Sequence, residues 1–183
     1  MKNTALLVID LQNEYLPTGK LPLSGIEEAA AKSARIIADA RDKSMPIIHI
    51  RHEFDAAAPF FVPGSDGAKI QDAVLPLENE EVIVKTQINA FRDTNLKELL
   101  DKNEVKELVV IGAMSHMCID AVVRAAVDLG YPTTVIHDAC ATLDLEFNGV
   151  KVPAAQAHAT IMAAFEFAYA IVKSTDNYLG ANA

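Results

Sequence analysis

The sequence predicts an α/β fold: a doubly wound, mostly parallel six-stranded sheet with helices on both faces. Three observations predict it. Short aliphatic runs rich in β-branched residues recur along the 183 residues, the pattern of strands buried on both faces. Stretches of helical spacing alternate with those runs, as βαβ units require. Reactive side chains then fall just past strand carboxyl ends, where open α/β sheets bind their ligands. With no internal repeat, low-complexity tract or linker, residues 1–183 read as one domain.

Thr4 to Ile9 is the first strand, ended by Asp10, and Asp10 to Gly19 is a connecting loop. Ser24 with Glu27 forms a capping box. The helix it opens is apolar at Ala30, Ala34, Ile37 and Ala38, with Arg41 and Lys43 suited to its end. Pro46 restarts the chain for a strand at Ile47 to Ile50. Residues 51–67 have no sustained period and contain Phe54, Phe60 and Phe61; a loop that long is expected to be functional, as a pocket lid or an interface segment. Glu81 to Lys85 is a strand, and Thr94 to Leu100 a helix.

The next strand ends at Ile111, where Gly112 breaks it, and Ser115 is placed as the N-cap of the following helix. Ile119, Val122, Val123 and Ala126 supply that helix's apolar face, so Cys118 sits in its first turn. Pro132 to His137 is a fifth strand. Pro153 opens an alanine-rich helix to about Phe167, and Ala170 to Val172 is a short last strand. No Gly-x-Gly-x-x-Gly or Walker loop follows the first strand, so a nucleotide cradle is not expected.

Composition narrows the function classes. The chain is 51% hydrophobic with a formal charge of −9, which fits a folded domain and excludes nucleic acid and anionic membranes as partners. Its two cysteines make no disulfide framework. The stretch from Met1 to Asp10 meets a charge too early for a signal peptide, and no apolar run reaches membrane-spanning length. Cytoplasmic residence is expected.

Cys118 is the sharpest candidate. A thiol in a helix's first turn feels the positive end of the dipole and is surrounded by free N–H groups, both of which favour a thiolate. The same N–H groups suit an oxyanion. The alternative is a small hydrophobe buried at a helix start. Asp10 and Lys85, each ending a strand on the same sheet edge, tip the balance to chemistry.

Three ordered blocks then identify a family. Val8-Ile-Asp10-Leu-Gln12-Asn13, Val84-Lys85-Thr86 with Asn89-Ala-Phe91, and Gly112-Ala-Met-Ser-His-Met-Cys118 together resemble the isochorismatase-like cysteine hydrolases. The likeness continues through Asp138 to Thr142 and into the C-terminal helix, and is greatest to the streptothricin-hydrolase-like branch. The resemblance implies a catalytic triad of Asp10, Lys85 and Cys118. It also implies a cis peptide between Ala113 and Met114, and an oxyanion hole from the backbone N–H groups of Met114 and Cys118. Cleavage of a small molecule's carbon–nitrogen bond through a thioester follows, with no cofactor. Vinyl-ether hydrolysis of the isochorismatase type is the second enzymatic reading, and a non-enzymatic binder on the same scaffold the third.

Departures from the family pattern matter too. Nicotinamidases of this group carry an Asp-x-His and a further His that hold a metal; His49-Ile-Arg-His52-Glu-Phe lacks that arrangement. None of the five histidines, His49, His52, His116, His137 and His158, forms a helical pair or a Cys/His cluster, so no metal is expected. Gln12, Phe54, Phe60, Asn89, Phe91 and His116 are the candidate substrate contacts. Cys140, followed by an acidic loop, is expected to be structural. The wide apolar face of the last long helix, and the family resemblance, predict a homo-oligomer, a dimer or tetramer.

Overall fold

The computed structural model describes residues 3–180; the first two residues of the N-terminal stretch lie outside it. Six parallel strands form the sheet: β1 (Thr4–Ile9), β2 (Ile47–His52), β3 (Glu81–Lys85), β4 (Glu107–Ala113), β5 (Thr133–Ala141) and β8 (Ile171–Lys173), in the order β3-β2-β1-β4-β5-β8. The order reverses between β1 and β4. The doubly wound sheet read from the sequence is the one observed. Aliphatic runs form β1 and β4 at its centre because both faces of these strands are covered, leaving no place for an alternating polar residue.

Helices α1 (Ile26–Asp42) and α5 (Thr175–Leu179) cover one face, packing on Leu6, Val8, Val109 and Ile111. Helices α2 (Leu96–Lys102), α3 (Asp120–Asp128) and α4 (Ala154–Ala168) cover the other, on Leu7, Ile9, Ile50 and Val110. Period-two alternation along β1 and β4 thus feeds two separate cores.

Local chemistry differed from expectation at four places. Ser24 does not cap α1: Gly25, in the left-handed region, is the N-cap, and Ser24 spends its N–H on the Thr142 carbonyl. Gly112 does not end β4. It pairs with Ile9 and, past a register shift, with Cys140 inside a longer β5. Ser115 is not an N-cap but begins a π-helical turn, Ser115–Ile119, and its hydroxyl bonds the Ala141 carbonyl and His158. The stretch after Cys140, read as a loop, folds as a hairpin of β6 (Leu145–Phe147) and β7 (Val150–Val152). Asn148 and Gly149 turn it with positive φ at both, the geometry that an Asn-Gly pair favours.

Among the described residues, no helix is long and apolar enough to cross a membrane.

Candidate active site

Asp10 leaves β1 at the sheet's reversal point with a left-handed φ of 50°, its N–H bonded to the Ile50 carbonyl. Lys85 closes β3, two strands away, and its Nζ reaches Asp10 at the end of β1. Cys118 arrives from the far side, in the π turn after β4. All three are buried, the cysteine being 2% exposed and the other two less.

Lys85 Nζ stands at the centre. It lies 2.9 Å from Asp10 Oδ2, 3.3 Å from Cys118 Sγ, 3.1 Å from the Gln87 carbonyl and 2.7 Å from His52 Nδ1. The sheet therefore gathers Asp10, Lys85 and Cys118 into one cluster. His52 is the fourth member, which sequence reasoning missed. Its signal was strand parity: His52 and Lys85 are directly paired across β2 and β3, so they share a face.

Electrostatics in the cluster run against one expectation. The Cys118 thiol is not acidified. Burial, and then the charge of Asp10, push it far above the ordinary thiol range, and Lys85 only partly opposes them. Burial also raises the Asp10 carboxyl, with Lys85 pulling the other way. The helix-start argument failed because Cys118, in the π-helical turn, is 2% exposed, and desolvation outweighs a terminal dipole. Cys118 thus rests as a thiol beside a carboxyl of raised affinity for protons.

Sequence alone showed no metal-ligand cluster, yet tertiary structure brings Asp10, His52 and Cys118 ligand atoms within 4.8 Å of one another. The Lys85 ammonium occupies the middle of that group. Its Nζ lies 2.9 Å from Asp10 Oδ2, 2.7 Å from His52 Nδ1 and 3.3 Å from Cys118 Sγ.

Two backbone features flank the thiol. The Ala113–Met114 peptide is cis. The Met114 carbonyl accepts from the N–H groups of Met117 and Ile119, passing over the Cys118 N–H between them.

The candidate substrate contacts divide. Gln12 is fully buried and committed to backbone: its amide accepts from the His52 N–H and donates to the carbonyls of His52 and Ala68. It clamps the end of β2 and has no amide group left for a ligand. Phe54 and Phe60 lie together, half-buried, Phe54 4.3 Å from the His52 ring and 5.5 Å from Phe60. Phe61, grouped with them as a lid, is core at 1% exposure, wedged between Tyr15 and His52. Phe91 packs on the opposite core and stacks on Tyr131. Asn89 turns its carbonyl oxygen onto the Phe91 N–H. His116 is half-buried and bonded to Thr142 through Nδ1 at 2.6 Å. Cys140 lies inside β5, its thiol pushed up to about 12 mainly by burial.

Comparison with known proteins gives the same picture. The family model described as "Isochorismatase domain" matches residues 4–172. A crystal structure from Oleispira antarctica, described as an isochorismatase hydrolase, superposes with a TM-score of 0.96 at 56% identity, covering 98% of this chain and 97% of that one. The isochorismatase family protein YddQ of Bacillus subtilis (strain 168) is 47% identical, covering 96% of this chain and 98% of its own length. A streptothricin hydrolase of Streptomyces noursei is 33% identical over 77% of this chain and 50% of its own length.

Proposed function

The chain belongs to the isochorismatase family of hydrolases, and on that premise we propose that it is a cysteine hydrolase cleaving a carbon–nitrogen bond of a small, non-peptide amide. The observation that carries the reading is the state of Asp10. Its carboxyl is fully buried beside Cys118 and 2.9 Å from Lys85 Nζ, and burial raises its affinity for a proton against the opposing charge of Lys85. A carboxylate whose pKa is raised by desolvation is a stronger base, placed where a thiol proton must go.

In this mechanism Asp10 takes the Cys118 proton as Sγ attacks the amide carbon. The resulting oxyanion is held by the N–H groups of Met114 and Cys118. The carbon–nitrogen bond breaks, Asp10 returns the proton to the departing amine, and a thioester remains. Asp10 then takes a proton from water, hydroxide displaces sulfur, and the acid leaves as the thiol is restored. Lys85 keeps the negative charge stable as it moves from carboxylate to sulfur.

Phe54 and Phe60 offer an apolar wall beside the cluster, which supports a small, partly apolar substrate. Likeness to a streptothricin hydrolase also supports hydrolysis of a small organic molecule. Both cysteines are free, in keeping with the expected cytoplasmic residence. Exposed apolar surface on α4, with Phe167 92% exposed, supports the expected homo-oligomer; sedimentation as a 19.7 kDa particle would count against it.

The direct test is mass spectrometry of protein quenched during turnover of a panel of small amides. An acyl adduct on Cys118 is the expected result. Turnover by Cys118→Ala near the wild-type rate would overturn the reading and favour vinyl-ether hydrolysis, in which Asp10 acts as a general acid and the thiol is dispensable.

A further inference from the structure

Glu14 lies four residues past Asp10 and is 3% exposed. Its carboxylate accepts backbone N–H groups from two separate segments, Lys20 at 2.9 Å on Oε1 and Phe61 at 3.0 Å on Oε2. Bonds to an ionised acceptor are stronger than neutral ones, and one of these falls where the backbone is strained. Phe61 holds a φ of 53°, a conformation that a bulky residue keeps only when its surroundings impose it.

The bend at Phe61 separates two neighbouring rings. It sends Phe61 into the core between Tyr15 and His52, while Phe60 stays half-buried beside Phe54. The Phe54 N–H donates to the Phe61 carbonyl at 3.0 Å and closes the loop on itself, so what fixes Phe61 fixes all three rings. Phe61 and Phe54 pack on the His52 ring at centroid distances of 5.7 and 4.3 Å. A His52 ring nitrogen in turn lies within 4.8 Å of Cys118 Sγ. Gly67 leaves the carboxylate its place: a Cβ there would lie 2.3 Å from Glu14 Oε2.

We propose that Glu14 is a positioning residue: by latching Phe61 it holds the aromatic loop against the His52 side of the cluster, and so restricts the acyl group that Cys118 accepts to a small one. The inference deepens the reading above and rests on it.

The test compares alkylation of Cys118 by iodoacetamide and by the bulkier pyrenyl iodoacetamide at neutral pH, followed by mass spectrometry. Glu14→Met keeps the length of the side chain and removes both acceptors. It should raise the rate of the bulky reagent relative to iodoacetamide by about tenfold or more, with native circular dichroism. Glu14→Gln keeps one acceptor oxygen, and its ratio should fall between those of Glu14→Met and the unsubstituted protein. Cys140, inside β5 and 8% exposed, reports general loosening. Unfolding exposes both thiols to both reagents, whereas release of the latch leaves Cys140 unlabelled.

A folded Glu14→Met protein with an unchanged ratio would overturn the inference, as would a ratio that rises only together with Cys140 labelling. Should Glu14→Met not fold, Gly67→Ala decides instead, because its methyl group displaces the carboxylate while every acceptor is retained. There too the ratio should rise, and an unchanged ratio would overturn the inference. Asp10→Asn with iodoacetamide separates the two levels. If it is alkylated as fast as the unsubstituted protein, the base assignment itself fails; if it is slow while the Glu14→Met ratio is unchanged, only the role of Glu14 falls.

Discussion

Gly112 and Ile9 meet across the β1–β4 pairing with no space between them: a Cβ on Gly112 would lie 2.0 Å from the Ile9 carbonyl oxygen. The glycine also holds a φ of +127°, a conformation closed to side chains. This close approach brings the carboxyl ends of β1 and β4 together, and with them Asp10 and the Cys118 turn. Gly112→Ala should cost at least about 3 kcal/mol in chemical denaturation and slow Cys118 alkylation. A variant of near wild-type stability would show that the strands can part without loss.

Within the triad, losses should not add. If Asp10 and Cys118 act as the one unit proposed, the double variant of Asp10→Asn and Cys118→Ala should be little worse than either alone. Turnover of a cleaved amide, measured for all three proteins, checks this; a doubly substituted protein slower by the product of the single losses would contradict it.

The pH dependence follows from the raised Asp10 carboxyl. Protonated, Asp10 cannot take the thiol proton, so Cys118 alkylation should fall as pH drops through a midpoint above the ordinary aspartate value of about 3.9. Burial sets the direction, and Lys85 partly opposes it. Lys85→Met removes the opposing cation and should move the acid limb to higher pH. An unmoved limb would mean that Lys85 does not act on Asp10.

Glu80 should govern acid stability far from the site. Burial alone would raise its carboxyl, but Arg41 grips both oxygens at 2.8 and 2.9 Å and the Leu77 N–H adds a third bond, so it falls to about 2. A carboxyl lowered on folding contributes stability above its unfolded pKa of roughly 4.3 and loses it as pH falls toward the folded value. Melting temperature should therefore drop between these two values, and Glu80→Gln should flatten the drop. An equally steep fall in the variant would assign it to other groups.

Phe61 and its neighbour Phe60 should part company. Phe61, wedged between Tyr15 and His52, is core, and its truncation to alanine should cost about 3–5 kcal/mol. Phe60 is half-buried and should cost clearly less while altering substrate affinity. Denaturation curves and kinetics of the two variants decide it; equal stability losses with unchanged kinetics would remove Phe60 from the substrate wall.

What the sequence by itself determined was the sheet and the edge on which Asp10, Lys85 and Cys118 gather. Aliphatic runs alternating with helical spacing admit few arrangements other than a doubly wound sheet, and Asp10, Lys85 and Cys118 each follow a strand. Those signals are local, lying within a few residues of the position they describe. Tertiary structure alone decided the states of those residues. Cys118 follows a strand as the pattern indicates, yet its acidity depends on how deeply it is sealed, and desolvation reversed the direction suggested by the helix start. Gln12 sits beside Asp10 in the motif, but only the fold shows its amide spent on the β2 backbone. His52 carries no motif; it joins the cluster because parallel register places it opposite Lys85. Register and burial are properties of residues distant in sequence, set only when the strands are laid side by side.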